Sequence, residues 1–465
     1  MWSSSVRPVP GALVELNPAL VLVVAIAVAA VHGPAPALAQ AGDSSRGSTG
    51  VFDRNTPDPA ARQTLDLTMS LTAAYDSDVS VEAARSIASQ LFGPESMAHA
   101  NQLLGNGTYR WKRRDLEFRA SGRSVLRHDR QTNVINSTGH SAAAGMTTPL
   151  PWRTTLTLNQ TESYSPAYLY ALFPRDRADA AGDAPALAAD YDVTSGESLS
   201  LGSQATLTRQ VTRRTIIALG ADRQQTNYLD PDAGLLVTGW YGVSGRFTRV
   251  LGRNTRGTVR YIYRAGNFPD ADGTTWIGTS VEEGMDISMV HNRPFSDTRR
   301  LTLEAGLGSS VITVDAPPDK GTRRDPSYRL TGQLGAAYMF WKTWHASARY
   351  RRGVDFVPGI TEPVATDGVT ARIDGFITRR IDMQVAGSYT SGASALSTRS
   401  QNFNSYTSNT RLRVALAEPL AMYVEYVYYF YDFRGYPRLL PGVPAALERN
   451  GVRAGFTLST PVLGR

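Results

Sequence analysis

The chain has 465 residues but no cysteine, very little lysine and no long apolar run beyond residue 40. The lack of cysteine fits an oxidising envelope compartment, where unpaired thiols are a liability. No segment after residue 40 approaches the roughly 20 apolar residues that a membrane-spanning helix needs. The formal charge of +7 comes almost entirely from arginine, because the only lysines are Lys112, Lys320 and Lys342.

Sequence motifs for metal, nucleotide and nucleic-acid chemistry are also missing. None of the six histidines stands at metal-ligand spacing from another, so no zinc site is expected. No glycine-rich phosphate loop follows a strand and opens a helix. We therefore expect no bound metal, no cofactor and no nucleic-acid partner.

The first 39 residues have the features of a secretory signal peptide. Arg7 supplies the positive charge, the apolar stretch 19–31 has the length of a signal-peptide core, and residues 37–39 (Ala-Leu-Ala) form a small-x-small cleavage site. Cleavage is expected before Gln40. A polar periplasmic segment over 40–62 then leads into a barrel domain over 63–465.

Apolar and polar residues alternate with a period of two almost everywhere beyond residue 63, from the segment 65–72 to the segment 456–459. Tight turns and longer polar loops alternate between these segments, which suffice for about eighteen strands. The pattern predicts an all-β fold: a transmembrane antiparallel β-barrel of about 18 strands in the bacterial outer membrane, with short periplasmic turns and long extracellular loops. A soluble propeller would repeat a blade of about forty residues, and no such repeat is visible.

The phase of the alternation assigns residues to the two faces of the barrel. In the strand predicted over 298–313, Leu303 and Leu307 point to the lipid, whereas Thr302 and Glu304 point inward. Aromatic residues beside the short turns are expected to form an interfacial girdle. They are Trp111, Trp152, Phe247, Phe340, Trp341 and Trp344.

One segment departs from the alternation. Residues 79–92 have apolar positions at helical spacing and are followed by Gly93 and Pro94, which predicts a short amphipathic helix in the first long loop. Such a helix could pack outside the barrel or fold into its mouth.

The inward positions carry many arginines, several carboxylates and some tyrosines, which are predicted to line the pore. Cross-strand ion pairs that hold the barrel in shape would explain such a set. An excess of arginine would also favour the passage of anions, and inward tyrosines could offer flat faces to sugar rings. The predicted pore-lining residues are Arg119, Arg123, Arg246, Arg260, Arg264, Arg329, Arg349, Arg351, Arg372, Arg411, Arg413, Arg453, Glu304, Asp286, Asp374, Glu425, Tyr423 and Tyr429.

A catalytic constellation is not expected. His128 and His140 flank one external loop, with Ser137 and Ser141 nearby, but groups of this kind arise by chance in polar loops. We therefore name no catalytic residue and predict that the protein is not an enzyme.

Short motifs at both ends of the barrel domain resemble a known family. The opening strand ends in Tyr-Asp-Ser-Asp-Val over 75–79, and the closing strand reads Val-Arg-Ala-Gly-Phe-Thr-Leu over 452–458, followed by Pro-Val-Leu-Gly-Arg over 461–465. The mature chain thereby resembles outer-membrane β-barrel proteins associated with bacterial exopolysaccharide and exosortase-linked polysaccharide export systems. The resemblance implies a barrel that conducts a polysaccharide outward, with a periplasmic co-export protein as partner.

Three functions follow as hypotheses for an outer-membrane barrel in contact with lipid. The first is a passive conduit that exports a hydrophilic polysaccharide. If the lumenal arginines attract this polysaccharide, it is anionic. The second is a general or solute-selective porin. The third is a barrel with a sealed lumen that serves as an outer-membrane enzyme or adhesin.

Overall fold

The computed structural model describes residues 62–77, 98–129, 134–165, 198–228, 238–269, 276–315, 326–341, 343–356, 362–396, 402–434 and 446–464. The predicted signal peptide (1–39), the predicted periplasmic segment (40–62) apart from Arg62, and the predicted helix over 79–92 lie outside these residues. No helix among the described residues is long and apolar enough to cross a membrane.

The elements that the structure describes are eighteen β-strands. They are β1 Gln63–Ser77, β2 Ala98–Arg113, β3 Leu116–Asp129, β4 Val134–Leu150, β5 Thr154–Ser165, β6 Ser198–Thr212, β7 Thr215–Tyr228, β8 Thr238–Gly252, β9 Thr255–Pro269, β10 Trp276–Ser296, β11 Arg299–Asp315, β12 Ser327–Phe340, β13 Trp344–Asp355, β14 Val364–Thr378, β15 Ile381–Ser394, β16 Asn402–Ala417, β17 Leu420–Asp432 and β18 Ala446–Gly464.

The strands form one closed antiparallel sheet. Each strand pairs with its neighbours in the chain, and β1 also pairs with β18, from Thr64 opposite Gly464 to Ser77 opposite Asn450. This pairing leaves no free edge and closes the barrel, as a membrane-spanning sheet requires. The predicted 18-stranded antiparallel β-barrel is confirmed.

Alternate residues of strands such as β1 differ sharply in exposure, which identifies the two faces. On β1, Leu67, Met69 and Leu71 are 40%, 51% and 60% exposed, whereas the intervening Ser70 and the following Thr72 are 6% and 5% exposed. Because successive side chains of a strand point to opposite faces, the apolar set lies outside the barrel and the polar set inside. Both faces therefore have the chemistry that the alternation predicts.

The two ends of the barrel differ in the length of their connections. At one end, called here the short-turn end, neighbouring strands are separated by two or three residues at most turns, as between Arg113 and Leu116. Arg114, Trp152, Arg153 and Trp341 adopt positive φ angles of 54°, 60°, 58° and 49° there, as the twist of tight hairpins requires. We assign this end to the periplasm and the long-loop end to the cell exterior, following the usual asymmetry of such barrels.

Two strands run further than the sequence suggests. β10 continues through Pro294 to Ser296, and Pro294 pairs with Arg300 just before a register shift. β18 continues through Pro461 to Gly464, with Pro461 opposite Asp66 beside another shift. Both prolines stand next to an irregularity of the ladder, where a missing N–H is tolerated.

Candidate functional site: the lumenal face

The inner face of the barrel carries the charged side chains that the sequence predicts for the pore. Leu303 is 43% exposed on the outside, and its neighbour Glu304 points to the inside, where it contacts other polar side chains. The same parity places every predicted pore residue on the inner face. These residues are Arg119, Arg123, Arg246, Arg260, Arg264, Arg329, Arg349, Arg351, Arg372, Arg411, Arg413, Arg453, Glu304, Asp286, Asp374, Glu425, Tyr423 and Tyr429. Their role in a conducting pore stays a prediction.

A buried ion pair lies on the inner face of β9 and β10. Nη2 of Arg264 lies 2.8 Å from Oε2 of Glu282, and these side chains are only 8% and 2% exposed. The Ser310 hydroxyl donates a hydrogen bond of 2.9 Å to the same carboxylate. Closer to the short-turn end, Nε of Arg260 donates to Oδ2 of Asp286 at 2.6 Å, but this arginine side chain is 40% exposed. The wall thus holds one buried pair and one exposed pair, a few residues apart.

The end of β13 is joined to the same network. Arg351 donates two hydrogen bonds to the carboxylate of Asp355, at 2.9 Å and 3.2 Å, and Thr366 donates a third at 2.6 Å. Arg264 also donates to the carbonyl oxygen of Val354 at 3.3 Å. Because β9 and β13 are not neighbours in the sheet, this contact ties two separated parts of the wall together near the long-loop end.

A second group of ion pairs lies between β11 and β14. Glu304 accepts hydrogen bonds from Gln333 at 2.6 Å and from Arg349 at 3.3 Å. On β14, Nε of Arg372 donates to Oδ1 of Asp374 at 2.8 Å. Both predicted carboxylates are therefore neutralised by predicted arginines.

A third group lies on β15 to β18. Nε of Arg413 donates to Oδ1 of Asp382 at 2.9 Å. Glu425 accepts a hydrogen bond of 2.5 Å from Asn409 and lies 4.0 Å from Nη1 of Arg453. The Arg453 and Glu425 side chains are 8% and 12% exposed, so this pair too is largely removed from water.

Two of the predicted arginines bind groups other than carboxylates. Arg329 donates to the carbonyl oxygens of Ala395 at 3.1 Å and Ser394 at 3.2 Å. The guanidinium carbon of Arg411 lies 4.6 Å from the centre of the Tyr423 ring, which is a cation–π contact. These contacts hold the two guanidinium groups in place on the inner face.

Arg246 differs from the other predicted arginines. It is exposed on the inner face of β8, and no carboxylate among the described residues forms an ion pair with it. Its direct cross-strand neighbour on β9 is Arg260, which is paired with Asp286. Like charges in this position repel each other, so Arg246 presents uncompensated positive charge to the lumen.

The inner face becomes aromatic and apolar toward the long-loop end. Phe403 and Phe433 are fully buried, and their rings stack with centroids 4.7 Å apart. Tyr431 meets Phe433 edge-on at 5.6 Å, and Tyr429 is only 1% exposed. The tyrosines therefore point inward as predicted, but their rings are covered by neighbours and offer no open face to a sugar.

A smaller apolar cluster also lies near the long-loop end of the barrel, at the ends of β11, β13 and β15. Ile312, Val354 and Ala395 are at most 1% exposed and pack together. These residues and the buried phenylalanines are not among the predicted pore-lining residues. The two-residue alternation indicates an inward position for Phe403, because Phe403 has the same parity along β16 as the inward-pointing Arg411 and Arg413.

The outer face defines the class of protein. Large apolar side chains stand out from nearly every strand, with Leu307, Leu330 and Ile287 being 70%, 65% and 60% exposed. Such an area of exposed apolar surface on a closed barrel is stable only in a lipid bilayer. The protein is an integral β-barrel of the bacterial outer membrane.

The chain resembles known proteins only distantly. No protein-family model matches the chain, and no curated protein matches its sequence. Similar solved structures include Pseudomonas aeruginosa OccK7 (OpdD), with a TM-score of 0.44, 10% identity and coverage of 87% of this chain and 100% of that one. Acinetobacter baumannii OccAB4 has a TM-score of 0.43, 12% identity and coverage of 87% and 100%. Pseudomonas aeruginosa OprD has a TM-score of 0.40, 11% identity and coverage of 86% and 96%. Similarity at this level assigns no solute to this chain.

Proposed function

We propose that the protein is a porin-type channel that passes hydrophilic solutes and prefers anions. The observation that carries the proposal is the inner face, where each predicted carboxylate lies in an ion pair whereas Arg246 faces the lumen without an ion pair to any residue that the structure describes. Fixed charge of one sign along a pore raises the local concentration of ions of the other sign. The mobile ions attracted here are anions.

The size of the effect follows from Coulomb's law. An anion that passes about 8 Å from a guanidinium group in water gains close to one unit of thermal energy, which corresponds to an about twofold change in partition. The guanidinium group repels a cation at the same distance by the same energy, so replacement of Arg246 by serine should lower the anion-to-cation permeability ratio about fivefold.

The experiment measures the reversal potential of purified protein in a planar bilayer under a potassium chloride gradient. Arg249→Ser is the matched control, because Arg249 is exposed on the outer face of the same strand. We expect Arg246→Ser to shift the reversal potential toward the equilibrium potential of potassium. Arg249→Ser should leave the reversal potential unchanged. A barrel that conducts no current would contradict the proposal of a channel, and an equal shift in both variants would contradict the role of Arg246.

Export of a hydrophilic polysaccharide, with a periplasmic co-export protein, is the finer alternative that the sequence resemblance implies. The buried rings of Tyr423 and Tyr429 give it no support, because a sliding sugar would need an open aromatic face. Addition of an acidic oligosaccharide during the conductance measurement distinguishes the two functions. Block of the current by the oligosaccharide would favour the export conduit, and an unaffected current would favour the porin.

A further inference from the structure

A serine and a histidine face each other on the outer surface of the barrel. Ser124 on β3 and His140 on β4 are direct cross-strand neighbours, and Oγ of Ser124 lies 2.9 Å from Nδ1 of His140. They have the outward parity of Leu126, which is 39% exposed. The sequence places Ser137 and Ser141 nearest to His140, whereas the structure gives it Ser124. When the ring proton lies on Nε2, Nδ1 accepts the hydroxyl hydrogen, which is the arrangement of a base with its nucleophile.

A β-bulge lies directly beside this pair. Val125 is opposite Gly139 but Leu126 is opposite Ser137, so the residue between 137 and 139 has no partner on β3. Gly139, the residue before His140, has a positive φ of 155°. Bulges re-aim side chains and leave main-chain groups outside the ladder. In hydrolytic sites, backbone N–H groups outside a ladder serve as donors to an oxyanion.

The imidazole ring is held by an aromatic neighbour. The rings of His140 and Tyr164 stack with centroids 5.8 Å apart and an interplanar angle of 24°. In hydrolytic sites a third group orients the base, and here the stacked tyrosine ring does so. The outward residues Ala142 and Ala144 follow on β4 toward the short-turn end, whereas β5 presents the exposed Glu162 beside Tyr164. The pair thus lies on the lipid-facing side of the barrel, in the half toward the long-loop end.

We propose that Ser124 and His140 form a hydrolytic site for acyl esters of outer-leaflet lipids. Oγ of Ser124 attacks the ester carbonyl carbon while His140 takes the hydroxyl proton, and the carbon–oxygen bond to the lipid alcohol then breaks as His140 returns that proton to the leaving oxygen. Water, deprotonated by His140, attacks the acyl-serine and releases the fatty acid. The net reaction is ester plus water to acid plus alcohol, and the enzyme is regenerated.

The chain provides its own control for this proposal. Thr255 and His291 are also cross-strand neighbours on the outer face, with Oγ1 and Nδ1 2.9 Å apart. Their pairing lies at the short-turn end, and the only register shift between β9 and β10 is at the far end, between Trp276 and Gly278. This pair has the hydrogen bond but no adjacent bulge. Variants of Thr255 and His291 therefore test whether a hydroxyl–imidazole hydrogen bond between strands is sufficient for hydrolysis.

The experiment uses the full chain, folded in vesicles of phosphatidylethanolamine or in vesicles that also contain lipid A, and measures released fatty acid. A serine-directed fluorophosphonate probe gives a second readout. We expect release and labelling by the wild type, loss of both in Ser124→Ala, and at least a hundredfold slower release in His140→Gln. Thr255→Val and His291→Gln should retain wild-type release.

Release only from the vesicles with lipid A identifies lipid A as the source, release from both types identifies phosphatidylethanolamine, and either source supports the proposal. Absence of release and labelling in a folded wild-type barrel would overturn it. Undiminished release by Ser124→Ala would overturn it as well. Tryptophan fluorescence of Ser124→Ala verifies that the barrel is folded, and a failure of channel activity alone would leave the hydrolytic result intact.

Discussion

Replacement of Arg264 by methionine should destabilise the barrel although the residue faces a polar lumen. The substitution removes the partner of Glu282, whose carboxylate is 2% exposed and cannot turn to water. It also removes the donor to the carbonyl oxygen of Val354, 3.3 Å away. Methionine keeps most of the volume of the side chain, so the loss of charge dominates the effect.

The magnitude follows from the burial of the pair. Removing one partner of a buried ion pair costs about 3–5 kcal/mol, because the other charge stays buried and uncompensated. Arg260→Met is the matched comparison, since Arg260 also pairs with a carboxylate but is 40% exposed. An exposed pair contributes about 1 kcal/mol or less, so the two arginines should differ by several kcal/mol.

A double variant isolates the cause. Arg264→Met combined with Glu282→Leu removes both charges, and apolar replacement of a whole buried pair is often close to neutral. Urea unfolding in detergent micelles, followed by tryptophan fluorescence, gives the free energy of unfolding of each variant. Equal losses for Arg264→Met and Arg260→Met would refute the reasoning. So would a double variant that is no more stable than Arg264→Met alone.

Three further outcomes can be checked with the same assays. Gly392→Ala should lower the free energy of unfolding by about 1–3 kcal/mol, because its Cβ would lie 2.2 Å from the Phe403 ring, whereas Gly105→Ala, which meets nothing within 4 Å, should change it little. Phe433→Ala should cost about 3–5 kcal/mol by opening a cavity beside Phe403, and a loss below 1 kcal/mol would mean that the site is not tightly packed. The anion preference given by Arg246 should fade in 1 M salt, where the screening length falls to about 3 Å, and a selectivity independent of salt would contradict an electrostatic origin.

Sequence alone suffices for the barrel and its two faces because the governing signal is local. The alternation of Leu65, Leu67 and Met69 with polar residues needs no knowledge of the partner strand to indicate one buried face. Where β10 and β18 run on through Pro294 and Pro461, the local signal misleads. The register shifts that accommodate these prolines are properties of strand pairs.

The pairing of the lumenal charges lies beyond such reasoning. Glu282 is opposite Arg264 only in the register that β9 and β10 adopt, and Asp355 reaches Arg351 on the same strand near the barrel rim. Parity shows that these groups share a face but not which of them meet. Whether a lumenal arginine forms an ion pair determines its role. A paired arginine stabilises the barrel wall, whereas an unpaired arginine attracts anionic solutes.

Because most lumenal arginines form ion pairs, the excess of arginine in the sequence is not a direct measure of anion preference. Substitution of a paired arginine such as Arg349 would expose Glu304, so a loss of anion preference there would reflect a released carboxylate as much as a lost cation. Among the described residues Arg246 has no carboxylate to release, so its substitution removes a cation without exposing an anion. Selectivity in this barrel should therefore depend on few arginines, and its stability on many.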